Sequence, residues 1–147
     1  MNTSRTANAA WETLMSAYAV LMREFAAEDI WREASMREYD VLYTLSKCPA
    51  PLRIGELHKH LLLSQPALSR MVDRLVDRGL VERSSAPEDG RGVRLALTDV
   101  GRKVQQDIGR VHARQVARAV TARVSAEELR QLEAICRKLA AGQAEES

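Results

Sequence analysis

The sequence predicts a mainly α-helical fold with a small β-hairpin, in the order α-α-α-α-β-β-α-α. Over most of the chain, hydrophobic residues recur at steps of three and four, which is the period of a helix that buries one face. Between residues 81 and 97 the period changes to two on either side of a glycine-rich segment, which indicates two short strands joined by a loop. With 147 residues, the chain is expected to form a single domain.

The first two helices are predicted from an apolar stripe and from a capping signal. The stripe of the first helix consists of Trp11, Leu14, Met15, Tyr18, Leu21, Met22 and Phe25. Ser35 and Glu38 form a capping box that begins the second helix, which ends near Cys48.

The next two helices are predicted to form a pair joined by a short turn. Residues 52–61 are expected to be a short third helix, because they follow a proline-containing break and place apolar residues on one helical face. Ser64 is a suitable N-cap for the fourth helix, and Gly79 marks its end. The predicted buried stripe of the fourth helix consists of Leu68, Met71, Val72 and Leu75.

Two more helices are predicted after the hairpin. Thr98 caps a long helix that extends to about residue 122, and a capping box of Ser125 and Glu128 begins the last helix. The apolar stripe of the last helix consists of Leu129, Leu132, Ile135, Cys136 and Leu139.

The positive charge of the chain is concentrated after residue 52. The formal net charge is only +2, but residues 53–147 hold 17 of the 22 Lys and Arg residues against 13 of the 20 Asp and Glu residues. This excess favours a polyanionic partner for the later part of the chain.

The sequence disfavours several other classes of protein. Cys48 and Cys136 lie far apart, and neither a signal peptide nor an apolar run of roughly 18 residues is present, so we expect a cytoplasmic protein without membrane contact. Phosphate-binding loops and activated nucleophile motifs are absent, so we expect neither an enzyme nor a cofactor. His58 and His60 point in different directions on a helix, which argues against a metal site.

The central elements are the parts of a winged helix-turn-helix, whose second helix enters the major groove of double-stranded DNA. Entry requires short, hydrogen-bonding residues near the start of that helix, so that the backbone can approach the bases. The residues that meet this requirement are Ser64, Gln65, Ala67 and Ser69.

Three arginines are expected to contribute further DNA contacts. Arg70 can reach a guanine edge or a phosphate, whereas Arg74, one turn later, is better placed for the flanking phosphates. Arg91 lies at the tip of the glycine-rich loop, where its guanidinium could enter a narrow minor groove.

A simpler interpretation of the fourth helix is a solvated face of paired charges. Arg70, Arg74 and Arg78 alternate with Asp73 and Asp77, as they would on a salt-bridged surface helix. The neighbouring hairpin, which exposes a cation at the same end of the molecule, favours DNA binding over this alternative.

The chain resembles the MarR-type (multiple antibiotic resistance regulator) family of transcription factors over nearly its whole length. The resemblance lies in IGELHKHLLLSQPALSRMVDRLVDRGLVERS (residues 54–84) and in PEDGRGVRLALTDVGR (residues 87–102). It implies a homodimer in which the first, fifth and sixth helices interlock and two winged lobes bind a pseudo-palindromic operator. Repression is the more frequent role in the family.

The resemblance also implies a division of the single domain of residues 1–147. Residues 1–34 would be an N-terminal dimerisation helix, residues 35–98 the DNA-binding lobe and residues 99–142 the C-terminal dimerisation helices. The apolar stripes of the terminal helices agree with this division, because a second subunit would cover them. An intrachain bundle is the alternative.

Family members usually respond to a small aromatic or phenolic acid, which is held between the dimerisation helices and the DNA-binding lobe. If such a pocket exists here, the residues expected to line it are Tyr18, Met22, Tyr39 and Tyr43, which offer flat apolar surface and hydroxyl groups. The alternative is that these residues are simply part of the core.

Two other functional hypotheses remain open from the sequence. Cys48 lies beside Lys47 at a helix end and could serve a redox-responsive regulator, although a buried structural cysteine is the simpler interpretation, and Cys136 is expected to be inert. A winged helix can also serve as an architectural or protein-interaction module, which would bind without operator specificity.

Overall fold

The computed structural model describes residues 2–85 and 92–142. Within these residues, six helices and three strands follow one another in the order α-α-β-α-α-β-β-α-α. The helices are α1 (Thr3–Ala26), α2 (Met36–Lys47), α3 (Ile54–His58), α4 (Gln65–Asp77), α5 (Asp99–Thr121) and α6 (Ala126–Ala140), and the strands are β1 (Leu52–Arg53), β2 (Val81–Ser85) and β3 (Val93–Leu97). The predicted fold class is confirmed.

The sheet has one strand more than the predicted hairpin. Leu52 and Arg53, which we expected in the third helix, form β1 and pair with Leu95 and Arg94 of β3. The three strands are antiparallel in the order β1-β3-β2. A stretch of two residues is too short to show the alternating pattern of a strand. Only the pairing with β3, some forty positions later, reveals β1.

The third helix is also shorter than predicted. It ends at His58, and the side-chain Nε2 of His58 then lies 2.6 Å from the carbonyl oxygen of Leu63. This contact stabilises the turn that leads into α4, so the apolar residues 61–63 belong to the turn and not to a helix.

The predicted capping residues lie at the helix ends. The capping boxes of Ser35 with Glu38 and of Ser125 with Glu128 are both formed. The backbone N–H of Ala67 donates to Ser64 Oγ at 3.2 Å, which caps α4. Gly79 follows α4 with a φ of 74°, a left-handed conformation that glycine adopts without strain.

One hydrophobic core joins α2, α3, α4, the sheet and the first half of α5. The side chains of Leu42, Leu57, Leu68 and Leu75 are inaccessible to solvent and lie at its centre. All four residues of the predicted stripe of α4 are buried. The core therefore fixes which face of α4 points outward.

The chain divides into two compact units, Met1–His112 and Ala113–Ser147. In the first unit, α1 exposes large apolar side chains, with Trp11 57%, Met15 53% and Tyr18 51% accessible. In the second unit, no described residue of α6 is buried, and its apolar side chains Leu132, Ile135 and Leu139 are exposed. No helix of the described chain is long and apolar enough to cross a membrane.

Candidate nucleic-acid interface

The outer face of α4 carries the side chains predicted to contact DNA. Ser64, Gln65, Ser69, Arg70 and Arg74 are exposed. Ala67 is half-buried beside the N-cap, where a small side chain leaves the first turn of the helix accessible. Because the opposite stripe is buried in the core, these polar groups form one continuous solvent-facing surface.

The charges of α4 are arranged differently from a salt-bridged surface helix. Among the described residues, Arg70 and Arg74 have no ion-pair partner. Asp73 pairs instead with Arg83 of β2, and Arg78 pairs with Glu38 of α2. The two outward arginines of α4 therefore keep their donors available for an external anion.

The Asp73–Arg83 ion pair links α4 to the strand that leads into the wing. β2 and β3 are paired as far as Ser85 and Val93, so the described ends of both strands have defined positions. Arg91, which is predicted to enter the minor groove, lies outside the described residues. The role of Arg91 remains a prediction.

The start of α5 packs against the turn between α4 and β2. Thr98 Oγ1 donates to the carbonyl oxygen of Gly79 at 2.6 Å and accepts from the N–H of Gly101 at 3.0 Å. A Cβ atom at Gly101 would lie 1.9 Å from the carbonyl oxygen of Leu80. This contact requires glycine, and its only signal in the sequence is a glycine in the first turn of a predicted helix.

A cavity of about 310 Å³ lies among α1, α2 and the turn before α4. Two of the four residues predicted to line an effector pocket, Tyr18 and Met22, line this cavity. The other lining residues are Arg23, Ala26, Met36, Arg37, Asp40, Leu61, Leu62 and Leu63.

Tyr39 and Tyr43, the other two predicted pocket residues, do not line this cavity. Tyr39 is buried and stacks on Tyr43 at 5.8 Å between ring centroids, while the Lys47 ammonium lies 4.7 Å from the Tyr43 centroid.

The cavity wall carries charges of both signs. Arg23 and Arg37 offer guanidinium groups, and Asp40 offers a carboxylate. Burial raises the pKa of Asp40 above its ordinary value, and Arg37 opposes that shift. An anionic ligand therefore finds two cations and one carboxylate that takes up a proton more readily than usual.

His112 sits among three aromatic rings. Its ring centroid lies 5.4 Å from that of Phe25, 5.2 Å from that of Trp31 and 5.6 Å from that of Tyr39. Its Nδ1 is buried and has no hydrogen-bond partner among the described residues. Burial lowers the pKa of His112 below its ordinary value.

Cys48, the candidate redox residue, is the half-buried C-cap of α2, and its backbone N–H donates to the carbonyl oxygen of Leu45 at 3.3 Å. Cys136 of α6 is also half-buried. Within residues 2–85 and 92–142, no three His, Cys, Asp or Glu side chains are arranged to hold a metal ion.

A three-stranded sheet beside a helix-turn-helix, with an outward polar face on its second helix, defines a winged helix-turn-helix protein. The model of the MarR family matches residues 34–93. The multiple antibiotic resistance protein MarR of Escherichia coli strain K12 is 33% identical over 102 residues, which are 69% of this chain and 70% of that protein. The chain belongs to the MarR family, whose members are transcriptional regulators and not enzymes.

Solved structures of the family share the fold. Sco3205 of Streptomyces coelicolor, a MarR family transcriptional regulator in complex with DNA, is 29% identical with a TM-score of 0.78 over 95% of this chain and 89% of that one. The PcaV transcriptional regulator of the same organism, in complex with its natural ligand, is 25% identical with a TM-score of 0.66 over 98% of this chain and 95% of that one.

Proposed function

We propose that this chain is a homodimeric, sequence-specific repressor that binds a pseudo-palindromic operator in double-stranded DNA. The observation that carries this proposal is the outward face of α4, where Arg70 and Arg74 are exposed and have no ion-pair partner among the described residues. A family neighbour in complex with DNA supports it.

Each part of the interface has a separate role in this proposal. The first turn of α4 enters the major groove, with Ser64, Gln65, Ala67 and Ser69 closest to the bases, and Arg70 reads a guanine edge. Arg74 contacts flanking phosphates and fixes the register without reading sequence. Arg91 enters the adjacent minor groove.

Release by a small aromatic acid is the second part of the proposal. The cavity beside Tyr18 and Met22 has room for a single aromatic ring, and Arg23 and Arg37 supply the counter-charge for a carboxylate. The PcaV neighbour in complex with its natural ligand supports a ligand-responsive protein. Binding would lower operator affinity if the ligand prefers a lobe spacing other than the roughly 34 Å between successive half-sites.

Selection of bound sequences from a random duplex pool at near-physiological salt tests the proposal. We expect the wild type to enrich a two-fold-symmetric site. Arg70→Ala should lose about 1–3 kcal/mol of discrimination at one base pair of each half-site, and Arg91→Ala should relax selection beside it. Lys103→Ala is the matched control, because Lys103 is an exposed cation of α5 that pairs with Asp107.

The selection experiment also separates the competing functions. If the wild type recovers no consensus, the chain is an architectural or protein-interaction module and the base-reading roles are wrong. If a consensus appears, the selected duplex then serves to test whether benzoate or 4-hydroxybenzoate releases the protein, and whether Arg23→Gln abolishes that release.

A further inference from the structure

Arg78 connects the end of α4 to the segment that begins α2. As the C-cap of α4, Arg78 donates from Nη1 to Glu38 Oε2 at 2.8 Å and from Nη2 to the carbonyl oxygen of Glu33. The Glu38 side chain is only 14% exposed, so its partner is poorly replaced by water. A guanidinium that bridges two acceptors holds a more definite geometry than a single surface ion pair.

The Glu38 carboxylate has a second partner. Its Oε1 accepts from the backbone N–H of Ser35 at 2.8 Å, which closes the capping box of α2. Burial opposes ionisation of this carboxyl, but the Ser35 N–H and Arg78 outweigh burial and hold the pKa of Glu38 below its ordinary value. One ionised side chain thus joins the first turn of α2 to the last turn of α4.

The cavity lined by Tyr18 and Met22 borders two segments that are connected to opposite ends of α4, although no residue of α4 lines it. Its α2 wall is formed by Met36, Arg37 and Asp40, which lie in the turn that also carries Glu38. Another part of its wall is formed by residues 61–63, which directly precede the N-cap Ser64 of α4. A change in the cavity that shifts the first turn of α2 must therefore displace a partner of Arg78.

We propose that Arg78 and Glu38 are positioning residues, which set the orientation of α4 and couple it to the state of the cavity. The proposal rests on the proposed function in one respect, that α4 reads DNA, and does not depend on the identity of an effector. The hydrogen bond between Arg78 and Glu38 weakens over a small displacement, because a hydrogen bond depends steeply on distance and angle.

The substitution Glu38→Gln distinguishes a positioning role of Glu38 from a purely electrostatic effect of its charge on DNA binding. Removing a negative charge strengthens DNA binding through the long-range field of the protein, whereas loss of positioning weakens operator binding. We expect operator affinity to fall about fivefold or more, while affinity for random duplex stays equal or rises. Asp29→Asn is the matched control, because it makes the same charge change in an exposed ion pair with Arg32.

A cavity-filling substitution tests the coupling without a ligand. Met22→Trp and, independently, Ala26→Phe add bulk to the cavity wall, and Ala27→Phe adds similar bulk at the next, exposed position, which does not line the cavity. When made alone, both filling substitutions should change operator affinity, and the control substitution should not. In a Glu38→Gln background the same substitutions should have little further effect. Full additivity, or no effect of either filling variant, overturns the coupling.

Amide hydrogen exchange gives a readout that needs no DNA. Glu38→Gln and Arg78→Gln should both speed exchange in the last turns of α4, Arg78→Lys should restore part of the protection, and Asp29→Asn should leave it unchanged. If exchange in α4 is unaffected in folded variants, the positioning role is wrong. If positioning holds while the wild type selects no operator, the proposed function has failed instead.

Discussion

His112 shows how a single side chain acquires a property that its neighbours in sequence do not suggest. The groups that face its ring are Phe25, Trp31 and Tyr39, and burial is the cause that lowers its pKa. A neutral imidazole fits an aromatic site, whereas protonation places a charge in a partly buried site lined by aromatic rings.

The protein should therefore lose stability as pH falls through the ordinary pKa of histidine, 6.5. Below that value the unfolded chain binds a proton at His112 that the folded chain resists, so the free energy of unfolding decreases until the lowered folded pKa is reached. Thermal unfolding between pH 7.5 and 5.5 should show a steeper fall in Tm for the wild type than for His112→Phe. His60→Gln, at an exposed histidine, serves as control and should keep the wild-type slope.

Arg70 and Arg83 illustrate a second difference among single residues. Both are arginines near the predicted DNA surface. Arg83 forms an ion pair with Asp73, whereas Arg70 has no ion-pair partner within the described residues. Sequence spacing predicted the outward position of Arg70, because the helical period alone places it on the face opposite the buried stripe. The partner of Arg83 lies ten positions away across a helix-to-strand turn, which no local pattern specifies.

At the scale of elements, the start of α5 determines where the sheet and α4 meet. Gly101 lies against the backbone of Leu80, and the Thr98 hydroxyl connects the same turn to α5. Backbone cannot move aside as a flexible side chain can. The contact between Gly101 and the Leu80 backbone therefore fixes the position of α5 against the turn that joins α4 to β2.

Gly101→Ala should destabilise the protein markedly. The added Cβ would overlap the Leu80 carbonyl oxygen, at 1.9 Å, so α5 or the turn must shift. We expect a loss on the order of 1–3 kcal/mol in the free energy of unfolding, measured by urea denaturation. Gly55→Ala is the control, because a Cβ there meets no atom within 4 Å, and it should be neutral or stabilising. Equal stability of the Gly101 variant would show that the approach is looser than described.

At the scale of the whole molecule, the exposed apolar surface of the terminal helices leads us to expect a second copy of the chain. In the first unit α1 exposes Trp11, Met15 and Tyr18, and in the second unit α6 exposes Leu132, Ile135 and Leu139. Stripes of this kind rarely stay in water in a soluble protein. A second copy of the chain is the partner that the proposed two-fold-symmetric operator requires.

We expect light scattering after size exclusion to give twice the 16.4 kDa mass of one chain for the wild type. Trp11→Asp and Ile135→Asp should each reduce that mass toward the monomer, because each buries a charge in an apolar contact. Val100→Asp is a matched control at an exposed valine in the first turn of α5, and it should remain dimeric. A monomeric wild type at micromolar concentration would contradict the proposed assembly.

The sequence by itself determined the outward face of α4, the helix caps and the helices other than the bounds of α3, because these depend on residues three or four positions apart. Only the tertiary structure decided the pairing of β1 with β3, the Asp73–Arg83 and Glu38–Arg78 ion pairs, and the division of the four predicted pocket residues between a cavity and an aromatic cluster. Each of these joins groups distant in the chain, and their contacts form only when the core brings the elements together.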